Sequence, residues 1–159
     1  MSEKTPATKK EKIDFMGRRR ARALAVQGLY QYQLAHAPID DIRLHLTDSP
    51  NYARCDETYF DALWRGVSGQ YEKLRDNFLP FVSSERDKQA LSPVETAILV
   101  LATWELSERP EIPYRIILNE AIDLAKVYGG TDGHRFVNGV LDKLAAQLRA
   151  DEIRALKES

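Results

Sequence analysis

Across residues 18–36 the apolar positions Ala21, Leu24, Ala25, Gly28, Leu29 and Tyr32 recur at spacings of three and four, which predicts a helix with one buried face. Pro38 ends it. A weaker helical pattern covers 39–46, the segment 47–57 reads as a loop, and 56–82 supplies two more helical stretches with breaks near Gly66 and Gly69. Ser92, Pro93 and Glu95 spell a helix start, with Ser92 as N-cap, Pro93 at the first helical position and Glu95 completing a capping box. The helix that follows is apolar almost all round through Val94, Ile98, Leu99, Val100, Leu101 and Trp104, which places it at the centre of a second subdomain. Pro110 and Pro113 separate it from a stripe of Tyr114, Ile117, Leu118, Ala121, Leu124, Ala125 and Tyr128, stopped by Gly129 and Gly130. A last helix from about 133 to 150 turns Val137, Val140, Leu141, Leu144 and Leu148 inward, with Thr131 or Asp132 as its N-cap. Nothing alternates with period two for long enough to make a sheet. The expected fold is all-α: about seven helices in two packed helical subdomains, 17–82 and 83–150, with a disordered basic arm over 1–16 and a tail over 151–159.

Composition adds an asymmetry. The chain has 159 residues and a net charge of −1, yet its first 22 residues carry eight cations (Lys4, Lys9, Lys10, Lys12, Arg18, Arg19, Arg20 and Arg22) against three acids (Glu3, Glu11 and Asp14). A basic segment on a mildly acidic body points to an anionic partner engaged at one place. Cys55 is the single cysteine, so neither an internal disulfide nor a cysteine-based zinc site is available. The N-terminal dozen residues have no apolar core of a signal sequence, and the longest apolar run, "AILVLA", is far too short to span a bilayer. A cytoplasmic protein without a membrane role is expected.

On a helical wheel Arg19, Arg22, Ala23, Val26 and Tyr30 fall nearly opposite the Leu24, Gly28 and Tyr32 face, with Gln33 beside them. Guanidinium groups neutralise phosphates and stack on bases, and an exposed aromatic ring offers unpaired bases a sequence-tolerant surface. A helix start is the unfavourable end for cations, by a few tenths to about 1 kcal/mol per charge. Folding alone does not ask for arginines there, whereas an external anion explains them.

The segments "RRRARALAVQGLYQYQL", "VETAILVLATWEL", "PYRIILNEAIDLAK" and "GHRFVNGVLDKLA" stand in the order and spacing of the bacterial transcription antitermination factor NusB family, which the chain resembles over roughly residues 17–149. The resemblance implies an all-helical protein of two packed subdomains. It also implies binding of the boxA segment of ribosomal-operon RNA, with the ribosomal protein NusE and the RNA polymerase antitermination complex as partners. Carried over residue by residue, it implies RNA contacts at Arg18, Arg19, Arg20, Arg22, Gln27, Tyr30, Phe81, Asp132, Arg135 and Phe136, and partner contacts at Tyr30, Glu95 and Asp132. Plain structural roles stand beside several of these: an ordinary core position for Phe136, an N-cap for Asp132, a capping box for Glu95. The sequence departs from the family at Val100, where a basic residue is common, across 38–55, and in "SSERDKQALS", which carries extra residues.

No catalytic constellation is legible. The segment "GGTDG" lacks the Lys-Ser/Thr ending of a phosphate loop and follows no strand, no Cys/His metal spacing occurs, and Ser68 and Ser92 have loop and cap roles. Neither enzymatic activity nor a metal or other cofactor is expected. Two readings of function follow: an RNA-binding regulatory factor, or a helical interaction module or homodimer whose arginine helix docks on an acidic partner.

Overall fold

The computed structural model describes residues 5–82, 88 and 90–158. Among these the chain forms α1 (Lys9–Ala35), α2 (Ile39–Thr47), α3 (Pro50–Arg54), α4 (Glu57–Gly69), α5 (Tyr71–Phe78), a 3-10 turn (Leu79–Phe81), α6 (Pro93–Glu108), α7 (Tyr114–Tyr128), α8 (Gly133–Leu148) and α9 (Ala150–Glu158), with no strand. α1 lies between α4 and α6, with α2 and α3 alongside. α6 packs on α1, α4, α5, α7 and α8, and α7 and α8 pair with each other. Every residue of α6 from Thr96 to Leu106 is buried, as an apolar surface on all sides of a helix requires. The buried apolar side chains of α1, α2 and α4 to α8 join into one cluster.

The capping box forms as read: the Glu95 amide donates to Ser92 Oγ at 3.1 Å, and the Ser92 amide donates to Glu95 Oε2 at 3.4 Å. The expected stripes of α7 and α8 also face inward, except that Tyr128 and Leu148 are exposed. At the end of α1, His36 adopts the left-handed conformation and its amide donates to Tyr32 O, closing the helix just before Pro38.

Four expectations change. Residues 9–16, expected in a disordered arm, form the first two turns of α1, because the Thr8 hydroxyl caps the helix by accepting from the Glu11 amide. The segment read as a loop over 47–57 contains α3, capped by Ser49 with Pro50 at its first position. Gly66 lies within α4 rather than breaking it, whereas the expected break near Gly69 forms, since α4 ends there and α5 starts at Tyr71. A Cβ on Gly66 would come 2.0 Å from Trp104 Nε1, so this glycine admits the α6 indole against the α4 backbone. Residues 150–158, taken as the end of the last helix and a tail, form the separate helix α9. The extra residues of "SSERDKQALS" lie largely outside the described residues.

Candidate nucleic-acid interface

The four arginines of α1 divide between the inside and the outside of the protein. Arg22 is only 3% exposed, which corrects the expectation that it faces solvent. Its Nε and Nη2 donate to the two carboxylate oxygens of Glu105, each at 2.9 Å, and its Nη1 reaches Glu120 Oε1 at 3.3 Å. The wheel misplaces it because α1 is covered on two sides by α4 and α6: Gly28 faces Trp64 of α4, and Arg22 reaches Glu105 of α6. The Tyr59 hydroxyl donates to the same Glu105 carboxylate. Burial, then the Glu105 charge, pushes the Tyr59 pKa up, so the phenol stays protonated as that donor. Burial pulls the Arg22 pKa down, but the charge and hydrogen bonds of Glu105 outweigh it and leave the guanidinium held charged more firmly than usual.

Arg19 is half-exposed and is also engaged by acids, with Nε 3.3 Å from Glu120 Oε2 and Nη2 2.5 Å from Asp123 Oδ2. Glu120 thus sits between two arginines, yet burial outweighs both and raises its pKa. Arg18 stacks on the Tyr59 ring at 4.5 Å. Arg20 donates to the Arg54 carbonyl oxygen at 3.5 Å. Farther along the same helix Gln27 and Tyr30 are exposed.

Tyr30 borders an apolar cleft of about 210 Å³ lined by Ala23, Val26, Gln27, Tyr30, Val94 and Tyr128. Gln33 Nε2 donates to Pro93 O at 2.8 Å and so fixes α1 against the start of α6. Glu95, one residue past Val94, lies over the start of α8: a Cβ on Gly133 would stand 3.0 Å from Glu95 Oε1. Tyr30, Glu95 and Asp132 therefore occupy one neighbourhood, although they come from α1, α6 and the α7–α8 connection. Asp132 holds φ of 63°, and its side chain makes no cap hydrogen bond. Only its backbone carbonyl serves α8, accepting from the amides of Arg135 and Phe136. The exposed carboxylate faces Arg135 Nε at 3.6 Å instead, so the side-chain N-cap expected of it does not form. A non-glycine residue at positive φ costs free energy that the helix start does not recover through the side chain.

Phe136 and Phe81 are half-buried against the core, and the 3-10 turn carrying Phe81 touches α8. α6 lies between α8 and the arginines of α1. Val100, where the family often has a basic residue, is fully buried in α6. Burial and the neighbouring acids Glu57, Asp56 and Asp61 push the Cys55 thiol up to about 11, which keeps it protonated and unreactive.

Sequence reasoning missed Arg109 and Arg149. Arg109 lies over the Tyr59 and Trp104 rings. Arg149 is buried, and its guanidinium donates to the carbonyls of Leu106, Arg109 and Ile112 at 2.8–2.9 Å, satisfying the C-terminal end of α6. A lone acid inside an apolar helix, Glu105, was the available signal that a buried cation must meet it, and that cation is Arg22; nothing local signalled Arg109 or Arg149. No group of three or more His, Cys, Asp or Glu converges as a metal site among the described residues.

Fold and surface together define an all-helical scaffold whose first helix offers cations, an amide and an aromatic ring to solvent beside an apolar cleft. The chain belongs to the NusB family, whose sequence profile matches residues 19–146. A transcription antitermination protein NusB of Azoarcus sp. (strain BH72) is 49% identical over 143 residues, covering 89% of this chain and 91% of that protein. One from Aromatoleum aromaticum is 51% identical over 138 residues, covering 87% and 94%. A solved structure of T. maritima NusB matches with a TM-score of 0.71 at 27% identity, covering 90% of this chain and 92% of that one.

Proposed function

We propose that this protein is a non-enzymatic transcription antitermination factor of the cytoplasm. It binds boxA-type single-stranded RNA of ribosomal RNA operons together with the ribosomal protein NusE, within the RNA polymerase antitermination complex, and so promotes rRNA transcription. The observation that supports it most is the outer face of α1, where Arg18, Arg20, Gln27 and Tyr30 reach solvent along one helix. Arg18 and Arg20 neutralise phosphates and Tyr30 stacks on an unpaired base. Arg135, Phe136 and Phe81 extend the RNA surface around α8. Tyr30, Glu95 and Asp132, grouped at the apolar cleft, receive the protein partner, and the strained Asp132 backbone presents its carboxylate outward. Arg22 takes no part in RNA contact, and Arg19 contributes only by leaving its acids. No described helix is long and apolar enough to cross a membrane.

The test is fluorescence anisotropy with a short boxA-like RNA and a scrambled control, with and without NusE. Preference for the boxA-like strand that tightens with NusE is the expected result, with log affinity falling by about 0.7 per neutralised phosphate per decade of salt. Equal weak binding to both RNAs, unmoved by NusE, would replace this reading with that of an interaction module or homodimer. Light scattering with and without nuclease then measures the self-association which that alternative requires.

A further inference from the structure

The family match starts at residue 19, but α1 starts at Lys9 and carries a basic, apolar face upstream of the match. At about 100° per residue, Lys9, Lys12, Met16, Arg20, Ala23, Gln27 and Tyr30 share one arc of the helix about 80° wide. Ile13 borders that arc, whereas Glu11 and Asp14 point about 150° away from its centre. Lys9, Lys12, Ile13, Met16 and Arg20 line a shallow depression of about 320 Å³, closed on its far side by Arg54 of α3. Among the described residues none of its four cations has a carboxylate within ion-pair distance, in contrast to Arg19 and Arg22. Ile13 is 61% exposed and Met16 40%, and Phe15 on the adjoining side is 42% exposed. Apolar side chains held in solvent between unpaired cations suit a ligand with a charged backbone and flat apolar faces. A helix that merely needed solubility has no use for them.

We propose that this depression is a second nucleic-acid subsite, in which Lys9, Lys12, Arg20 and Arg54 bind phosphates and Ile13 and Met16 support the bases of nucleotides flanking the segment held at Gln27 and Tyr30. The inference rests on the RNA-binding reading above and lengthens its footprint along α1. Charge and continuity favour RNA over an acidic protein segment: the depression lies on the same helix face as Gln27 and Tyr30, and the cations flank the apolar residues on both sides.

The experiment uses the full chain and three RNAs, a boxA-like strand and the same strand extended by about eight unpaired nucleotides at one end or at the other. The wild type is expected to bind one extended strand more tightly than the short one. Lys9→Gln with Lys12→Gln removes two cations that are solvent-exposed, so helicity should not change. The double variant should keep its affinity for the short strand and lose most of the gain from extension. Its salt slope on the extended strand should fall by about 1.4, so that raising salt from about 50 to 200 mM costs it about seven-fold less affinity than it costs the wild type. Equal affinity for all strand lengths, with the short strand still bound, overturns the subsite while sparing the general RNA reading. Failure of the short strand to bind sinks that reading first. A double variant that binds all three RNAs like wild type but loses affinity for NusE assigns the depression to protein docking instead.

Discussion

Arg22→Met should be a folding variant and not a binding variant. In the native protein the Arg22 fork meets both Glu105 oxygens at 2.9 Å and also touches Glu120, and all three side chains are at most 5% exposed. Removing the cation leaves Glu105 with only the Tyr59 hydroxyl and Arg149-bound backbone around it, and leaves Glu120 with Arg19 alone. Breaking a buried, hydrogen-bonded pair from one side costs about 3–5 kcal/mol, mostly the penalty of the uncompensated carboxylate. For a chain of this length about 1 kcal/mol corresponds to about 2–4 °C in Tm, so the variant should melt roughly 6–20 °C below wild type. Far-UV circular dichroism melts measure this, and Arg20→Gln provides the contrast, since a surface change should stay within about 0.5 kcal/mol. Combining Arg22→Met with Glu105→Met should recover much of the loss, because a buried pair replaced by apolar volume is often neutral. Below its melting range Arg22→Met should bind RNA like wild type, while Arg20→Gln should bind it weakly. An Arg22→Met protein that melted with wild type and lost RNA binding would falsify the buried assignment.

Gly66→Ala should lower stability by about 1–3 kcal/mol because Trp104 occupies the space of the added methyl, whereas Gly69→Ala, which meets no atom within 4 Å, should be neutral or up to about 1 kcal/mol stabilising; chemical denaturation separates the two. Asp123→Asn should tighten binding of the boxA-like RNA at low salt by up to about five-fold, equivalent to about 1 kcal/mol for an exposed pair, by releasing Arg19; unchanged or weaker anisotropy binding would show that Arg19 does not reach the RNA. Because burial raises the Glu120 pKa, the folded protein holds a proton that the unfolded chain, at the ordinary value of 4.5, releases. That contribution to stability therefore grows as pH falls from above the raised pKa toward 4.5. Wild type should gain on Glu120→Gln in denaturation titrations as pH is lowered, and a loss relative to the variant would mean that pairing with Arg22 and Arg19 dominates over burial.

The helices with internal punctuation were legible. Ser92, Pro93 and Glu95 are close in sequence and act on one another locally, and α7 and α8 each keep their buried residues on one side with a polar outer face, so a single period describes them. α1 was harder because it is covered on two sides, and a wheel that divides one buried face from one wet face assigns Arg22 and Val26 to the wrong side. The partners of Arg22 stand 83 and 98 residues away, beyond any local pattern. The start of α1 was missed for the opposite reason: Lys9 to Met16 are all exposed, so no apolar period marks them. Thr8 and Glu11, with the spacing of a capping box, were the overlooked cue. The grouping of Tyr30, Glu95 and Asp132 came from family resemblance, since nothing local ties three separate elements together.

The division of the arginines explains how one helix can serve both the fold and a changing ligand. Arg22 binds α1 to α6 and α7 through buried carboxylates, and guanidinium keeps its charge at any ordinary pH. Glu120 is shared, one oxygen toward Arg22 and the other toward Arg19. If a phosphate draws Arg19 outward, Glu120 keeps its contact with Arg22 and is not left as an unpaired buried charge, so the exchange costs the half-exposed Asp123 pair and one of the two arginine contacts of Glu120. Arg18 and Arg20, which hold no carboxylate among the described residues, need no such exchange. The positions of Gln27 and Tyr30 relative to Glu95 are set by the same buried anchor and by the Gln33 bond to Pro93. An RNA strand on α1 and a protein at the cleft would therefore meet a rigid corner, and a gain in affinity for one when the other is bound would come from contacts between the two ligands rather than from movement of the helices.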